Sequence, residues 1–438
     1  MKKSKRLYDE SLRDSLHITT PNSLRSKGAV IAAIVASLSL FSAFPGTPSF
    51  FAPAVAEAEA TGPLFMENLG WGLPLRVYET YSGPEWMTIK RHFPGIMFKG
   101  KFEEKYLPII GALEGYSVDQ SKFTEEDGPD IITKLRVRRA DNRVVSFVES
   151  RSCFTDGKHG RYGIFGINYD TATGSELAFD DVFVNREQLA NEIAPRMSAL
   201  YPGRFPADSL GSGEYDAFCA KVKRVMANNE FSWSLDPFGA TFYFNPGSLT
   251  PESDDNIYTI TFCFAYTPYH FQTKYRSCPE SFCMDVEPRL PTMLCFDESS
   301  DKLTEVTVNT QGVVIRRNGE EFVDPGELEG IRPVFVMTGD RRKYLYADCE
   351  TAAMNPKHEL RVYDLNGDNI FRVECDSKLT FLATEPSEEI QRAWFVMTDP
   401  DSFLMTRVDS KFLDDYVLCH VGKDGAPVIM GPARDVVK

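Results

Sequence analysis

The sequence predicts an α+β fold with a mainly antiparallel sheet and two or three helices, followed by an all-β repeat domain. Up to about residue 290, several stretches alternate apolar and polar residues with a period of two, as half-buried strands do. Helical patterns interrupt these stretches only a few times, without the regular strand-helix alternation of a parallel sheet. From about Pro291 the helical patterns stop, and short strands with polar turns follow.

The chain has 438 residues, with 63 acidic against 48 basic side chains and a net charge of −15. This length suggests two or three domains and allows a large core. The negative charge argues against a nucleic acid partner, because affinity for phosphates comes from clustered Lys and Arg. It argues equally against broad binding to an anionic membrane surface.

Residues 1–56 have the composition of a secretory signal peptide. Basic residues precede an apolar run from Gly28 to Phe44, and small-residue triplets follow between Ala54 and Ala60. The alternative is that the apolar run, which is barely long enough to cross a bilayer, remains as an anchor. Both interpretations place residues 61–438 outside the cytoplasm, in the periplasm or the extracellular space. Cleavage after Ala56 would leave 41 basic and 60 acidic residues, a net charge of −19.

The first strands follow from alternating residues. One face of a strand comprises Ile131, Thr133, Leu135 and Val137. The turn at 140–143 leads into a returning strand over 144–148, and a third strand runs over 165–169.

Two helices follow the third strand. Asn185 and Gln188 form a capping-box arrangement, after which apolar residues recur at helical spacing; Pro195 is expected to kink or split this helix. A second amphipathic helix spans 214–226, and a weaker one is predicted at 101–113. Strand patterns then return at 231–235, 240–244 and 258–264.

The last part of the chain contains an internal echo. The tetrapeptide Phe-Val-Met-Thr begins at Phe335 and again at Phe395, 60 residues later. A repeat of a few strands predicts stacked sheet units similar to propeller blades. We therefore expect an α+β domain at 61–290 and a β-repeat domain at 291–438.

All nine cysteines lie beyond the signal, where an oxidising compartment makes them candidates for disulfides. An odd count leaves at least one unpaired. Cys278 and Cys283 are close enough in sequence for a small disulfide loop. Zinc spacing is absent, so we expect no metal and no cofactor.

The segment from Asp156 to Gly163 has the richest chemistry in the chain. Asp156, His159, Arg161 and Tyr162 are candidate ligand-binding residues, because the intervening glycines let a ligand approach the backbone. The alternative is a glycine-rich strand connection in which His159 only holds backbone groups. No nucleophile elbow or metal-hydrolase motif supports catalysis, so a protein without enzymatic activity is favoured.

At Asp364-Leu-Asn-Gly-Asp-Asn, a hairpin turn is favoured over a calcium loop.

Five short motifs occur in an order that resembles the RsiV-like family of exported domains. They are Val145-Ser-Phe, Gly157-Lys-His-Gly, Asn168-Tyr-Asp with Thr173-Gly174, Asp181-Val-Phe, and Phe242-Tyr-Phe-Asn-Pro-Gly. The resemblance covers residues 75–290 and implies an α+β ectodomain. Its relatives include the extracellular part of lysozyme-sensing anti-sigma factors and the accessory domain of peptidoglycan deacetylases.

Together these observations predict an exported bacterial envelope protein that binds or senses a ligand. The acidic chain suits a cationic partner such as lysozyme, and a cell-wall glycan is the other candidate ligand. The alternative is a peptidoglycan-acting hydrolase or its accessory subunit, with His159 and a nearby carboxylate as acid and base.

Overall fold

A computed structural model describes residues 75–82, 88–96, 130–141, 143–155, 159–170, 173–207, 213–277, 280–295, 303–352, 357–375, 379–380, 393–395, 401–407 and 417–432. The predicted signal peptide and the predicted helix at 101–113 lie outside these residues. None of the helices in the described ranges combines the length and the apolar character that crossing a bilayer requires.

The described part of the chain consists mainly of antiparallel sheets, with three α-helices. The helices are α1 (Phe179–Val182), α2 (Arg186–Leu200) and α3 (Gly213–Ala227). The strands are β1 (Leu75–Ser82), β2 (Thr88–Ile96), β3 (Asp130–Ala140), β4 (Val144–Thr155), β5 (His159–Asp170), β6 (Ser232–Asp236), β7 (Gly239–Phe244), β8 (Tyr258–Cys263), β9 (Phe282–Asp285), β10 (Thr292–Leu294), β11 (Thr304–Asn309), β12 (Gly312–Arg317), β13 (Glu320–Pro325), β14 (Leu328–Met337), β15 (Lys343–Thr351), β16 (His358–Asp364), β17 (Phe371–Val373), β18 (Leu379–Thr380), β19 (Ala393–Phe395), β20 (Ser402–Arg407), β21 (Val417–Val421) and β22 (Pro427–Pro432).

The first sheet has six strands in the order β19-β1-β2-β3-β4-β5. Only the β2–β3 pair is parallel; the other pairs are antiparallel. The three strands predicted between residues 131 and 169 are therefore confirmed as β3, β4 and β5. Asp141 shapes the turn between β3 and β4, because its carboxylate accepts the backbone N–H groups of Arg143 and Val144.

The helices cover one face of a three-stranded sheet, β6-β7-β8. Asn185 caps α2 as predicted, with its side chain accepting the N–H of Gln188 at 2.9 Å. The expected split at Pro195 does not occur, since α2 continues to Leu200. Apolar side chains from α2 and α3 pack onto this sheet; they include Leu189, Ile193, Met197, Phe218 and Val222.

The later strands form three packed layers, with the five-stranded sheet β17-β16-β15-β14-β9 in the middle. On one face, Phe335 and Leu345 pack against the sheet β10-β11-β12-β13. On the other face, Val336 and Tyr346 pack against the sheet β18-β20-β21-β22. Because both faces of the five-stranded sheet are covered, its strands carry apolar side chains on both faces.

Strand β9 links the two parts of the chain. It precedes residue 290, yet it pairs with β14, for example through Cys283 opposite Val336. A disulfide between Cys263 and Cys295 adds a covalent connection across the same region. Cys278 lies outside the described residues, so its pairing with Cys283 stays a prediction.

The two copies of the sequence echo occupy different sheets. Phe335 lies in β14 at the centre of the five-stranded sheet, whereas Phe395 ends β19, opposite Arg76 of β1. The blade-like repeat is not supported by these positions and stays a prediction. The turn predicted at Asn366-Gly367 is confirmed, since it joins the antiparallel strands β16 and β17.

Candidate functional site

The predicted ligand-binding residues lie at the tip of the β4–β5 hairpin. Asp156 lies outside the described residues, and for His159 and Arg161 only the strand backbone is described, opposite Thr155 and Cys153. Tyr162 is described fully. Its hydroxyl donates to Glu287 Oε1 at 3.0 Å, so the structure gives this side chain a protein partner.

Glu287 belongs to a buried joint in which β3 and β5 of the first sheet contact β6, β9 and the segment after β9. Its second carboxylate oxygen accepts Arg136 Nε at 2.7 Å, so one carboxylate bridges β3 and β5. Burial raises the pKa of Tyr162 well above its ordinary value, and the charge of Glu287 adds to this effect. Tyr162 therefore stays protonated and acts as a hydrogen-bond donor.

Arg138 forms the centre of the same joint. Its Nε and Nη2 donate to the two carboxylate oxygens of Asp236 at 2.7 and 2.9 Å, and its Nη1 donates to the backbone oxygen of Asp285 at 2.8 Å. Both charged side chains are essentially inaccessible to solvent. Thr241 donates to Asp236 at 2.7 Å, so the buried carboxylate has a full set of donors.

The carboxylate of Asp285 is the unusual acid of this joint. Burial raises its pKa to about 6, against the lowering effects of the Val137 N–H, which it accepts at 2.8 Å, and of Arg136 and Arg138. A carboxyl group with this pKa changes charge at mildly acidic pH. The joint therefore contains a group whose ionisation depends on ordinary variations of pH.

Polar residues of the resemblance motifs hold the three-stranded sheet against the first sheet. The Asn168 side chain accepts the N–H of Leu235 at 2.9 Å and donates to the backbone oxygen of Trp233 at 3.0 Å. The hydroxyl of Ser146 donates to the side-chain oxygen of Asn168 at 2.7 Å. Asn245 makes a matching pair of bonds with the backbone of Ile164, at 2.8 and 2.9 Å. These motif residues therefore have structural roles in this chain.

A different surface carries the features of a binding site. Val184, between α1 and α2, is 56% exposed, and Tyr269 is 44% exposed. The N–H of Val184 donates to the oxygen of His270 at 2.8 Å, which places Val184 beside the segment that carries Tyr269. We call this pair of residues, with the carboxylates around them, the α1–α2 surface.

The carboxylates of the α1–α2 surface are Glu176, Asp180, Asp181 and Glu187, all exposed. Arg186 is the one basic residue between positions 176 and 187, and its guanidinium bonds Asp180 at 3.1 Å. Residues 176–187 therefore carry four acidic side chains and one basic side chain next to Val184, while the segment after Tyr269 adds Lys274, which bonds Asp170 at 3.3 Å. The sequence shows Asp180-Asp181 as a pair of acids, but no local signal indicates that Val184 and Tyr269 lie beside them.

A buried charged cluster supports Tyr269 from below. The Tyr269 hydroxyl donates to Glu192 Oε1 at 3.2 Å, and Arg196 donates to Oε2 of the same carboxylate at 3.0 Å. The ring of His270, which is fully buried, lies 3.0 Å from Glu192 through its Nε2. These contacts fix the Tyr269 ring in place, which lowers the entropy that a partner would have to overcome.

The exposed Val184 side chain and Tyr269 ring give the α1–α2 surface an apolar centre. An apolar centre with an aromatic ring, surrounded by polar groups, is the usual anatomy of an interface. Among the described residues, no group of three or more His, Cys, Asp or Glu side chains is arranged to hold a metal ion. The predicted binding role of residues 156–162 stays a prediction.

Two DUF3298 family proteins are among the solved structures that are similar to this chain. One is a DUF3298 family protein from Pseudomonas aeruginosa PAO1, with 15% identity, a TM-score of 0.31, and coverage of 48% of this chain and 99% of that one. The other is a DUF3298 family member from Bacteroides fragilis NCTC 9343, with 13% identity, a TM-score of 0.33, and coverage of 47% and 96%. No protein-family profile and no curated protein matches the sequence.

Proposed function

We propose that the protein is an exported module of the bacterial envelope that binds a cationic protein, such as lysozyme, without catalysing a reaction. The α1–α2 surface would be the binding site. The observation that carries the proposal is the pair of exposed side chains Val184 and Tyr269, beside the exposed carboxylates of residues 176–187.

Charge supports the choice of partner. The chain has a net charge of −15, and removal of the predicted signal peptide would make it −19. Complementary charge accelerates encounter and excludes partners of the same sign. A partner rich in Lys and Arg would meet the carboxylates of Asp181 and Glu187 at the edge of the surface.

The apolar centre of the α1–α2 surface favours a specific contact with the partner, in addition to the long-range attraction between opposite charges. Tyrosine is enriched among the residues that dominate binding energy, because its ring is large and rigid and its hydroxyl can stay hydrogen-bonded. The ring of Tyr269 is partly exposed while its hydroxyl is bonded to Glu192. Burial raises the pKa of Tyr269 to about 12, so the ring would remain uncharged in the complex.

A binding titration with purified lysozyme tests the proposal. We expect binding at about 20 mM NaCl that weakens strongly at about 500 mM, because salt screens exposed charges. Glu187→Lys and Val184→Lys should each weaken binding at low salt about tenfold or more. The matched control is Glu320→Lys, an equal change of charge at an exposed residue of β13, which should alter the affinity by less than about threefold.

Three outcomes would contradict the proposal or its site. Absence of lysozyme binding at low salt would reject this partner. Equal losses for Glu187→Lys and Glu320→Lys would show that the net charge of the whole molecule determines the affinity. Binding of peptidoglycan fragments in the absence of lysozyme binding would favour the cell-wall glycan.

A further inference from the structure

The buried joint lies where three sheets of the molecule meet. Arg138 of β3, in the six-stranded sheet, bonds Asp236 of β6, in the three-stranded sheet, and the backbone of Asp285 of β9, in the five-stranded sheet. A bulge in β3 brings Arg138 to this position, because the register with β4 shifts between Val137 and Arg139. One side chain therefore connects all three sheets.

The joint contains more buried acids than guanidinium groups that bond them. Its carboxyl groups are those of Asp236, Asp285 and Glu287, and its guanidinium groups are those of Arg136 and Arg138. Three negative charges against two positive ones would leave a net charge of −1 if every group were ionised. An uncompensated buried charge is costly, so uptake of a single proton would remove the imbalance.

The contacts of the three acids indicate which one takes the proton. Arg136 donates to Glu287, and Arg138 donates two bonds to Asp236. Among the described residues, the carboxylate of Asp285 accepts instead the backbone N–H of Val137, at 2.8 Å. A protonated carboxyl group can keep this bond through its carbonyl oxygen. Burial raises the pKa of Asp285 to about 6, in agreement with this assignment.

Other titratable and charged groups around Asp285 come from β5, β7, β14 and the segment after β9. They are Tyr162, Tyr243, Arg332 and Arg289, respectively. Burial raises the pKa of both tyrosines, so they stay neutral in acid and at neutral pH. Arginine stays charged throughout the same range. A proton gained by the joint in mild acid therefore belongs to a carboxyl group.

We propose that the buried joint is a pH-sensitive switch, in which one proton taken up by Asp285 in mildly acidic surroundings stabilises the contact between the three sheets. At neutral pH the proton is lost, and the joint opens more often. Opening exposes Asp285 to water and returns its pKa from about 6 to the ordinary 3.8, so the closed joint binds the proton more tightly than the open one. Opening should therefore become about 50-fold more frequent between about pH 4 and 7.

Hydrogen exchange of the full-length protein, read by mass spectrometry between about pH 4 and 7 and corrected for the intrinsic pH dependence of exchange, measures the opening. The N–H of Val137 bonds Asp285 itself, so residues 134–139 report on the joint, together with residues 282–287. We expect their exchange to accelerate about 50-fold over this interval. Adding about 1 M urea should change it little, because a local opening exposes little surface.

Two variants of the joint and one control assign the proton. Asp285→Asn should abolish the pH dependence of exchange, because an amide does not ionise. Asp340→Asn removes an exposed carboxyl group outside the joint and should leave the pH dependence unchanged. Glu287→Gln removes a charge that raises the pKa of Asp285 and leaves the charge of Arg136 to compensate it, so exchange should accelerate at a lower pH. Circular dichroism at each pH confirms that the variants are folded, and Glu287→Gln keeps the test decisive if Asp285→Asn unfolds.

The proposal is overturned if the corrected exchange of the joint does not change with pH. A urea dependence as steep as that of global unfolding would also overturn it, since the pH would then act on the whole fold. Persistence of the pH dependence in folded Asp285→Asn, or an unchanged midpoint in Glu287→Gln, would assign the proton to a group outside the proposed set. These outcomes do not depend on whether lysozyme binds.

Discussion

Replacing Asp285 with asparagine tests the buried joint between β3 and β9. The folded protein holds the proton of this carboxyl more tightly than the unfolded chain does, because burial raises its pKa from 3.8 to about 6. The asparagine side chain has nearly the same shape, and its oxygen could still accept the Val137 N–H. The substitution therefore removes the ionisation and keeps the hydrogen bond.

The sign of the pH dependence follows from the raised pKa. Below the unfolded pKa, the carboxyl is neutral in both states and contributes its full stability. As the pH rises through the folded pKa, ionisation in the buried site removes that contribution. A difference of about two pKa units corresponds to about 3 kcal/mol between pH 3.5 and 7. Between pH 3.5 and 7, the free energy of unfolding of Asp285→Asn should therefore rise by about 3 kcal/mol relative to that of the unmodified protein.

Urea unfolding of both proteins at these two pH values measures the difference. Asp340→Asn is a control of opposite sign, because hydrogen bonds from Arg342 and Thr338 lower the pKa of this exposed carboxyl. The variant should lose a little stability relative to the unmodified protein as the pH rises. An Asp285→Asn difference that stays constant with pH would refute the account of the joint, since the carboxylate would then be ionised without a penalty.

Three further variants test other contacts of the fold. Gly166→Ala should destabilise the protein by about 3 kcal/mol or more in urea unfolding, because the new Cβ would lie 1.7 Å from the backbone oxygen of Trp233; a loss below about 1 kcal/mol would contradict this close approach. Replacing both Cys263 and Cys295 by Ala should lower the free energy of unfolding by about 4 kcal/mol, because their disulfide closes a loop of 32 residues. If reducing agents leave the stability of the unmodified protein unchanged, the disulfide does not form. Arg138→Met should lower the free energy of unfolding by about 3 to 5 kcal/mol, because the buried carboxylate of Asp236 would lose its cation. An unchanged thermal unfolding transition would show that the Arg138–Asp236 ion pair does not stabilise the fold.

Local sequence patterns predicted the strands and helices whose formation depends on residues close together in the sequence. The alternation around Leu135 and Val137 predicted β3 because one face of that strand is buried, and Asn185 predicted the start of α2 because its side chain caps the first turn. Of the two outcomes predicted at Pro195, the split is wrong, and the kink stays a prediction. The helix continues through it because its apolar face packs on the sheet, and tertiary packing outweighs the loss of one backbone bond.

Partners distant in the sequence could not be predicted from the chain alone. Asn168 holds Trp233 and Leu235, which are about 65 residues away, and no local pattern shows this. The partner of Cys263 could not be selected among nine cysteines, because several pairings were compatible with the spacing. The α1–α2 surface was missed for the same reason, since Val184 and Tyr269 come together only through the fold.

Hydrogen exchange of the amides, with and without lysozyme at low salt, tests the proposed binding site most directly. The proposal predicts slower exchange in residues 179–187 and 267–272 upon binding, with recovery at high salt, because these segments form the α1–α2 surface. Protection confined to residues 156–162 would instead assign binding to the tip of the β4–β5 hairpin. No protection in either segment, at a lysozyme concentration that saturates binding, would contradict the proposed site.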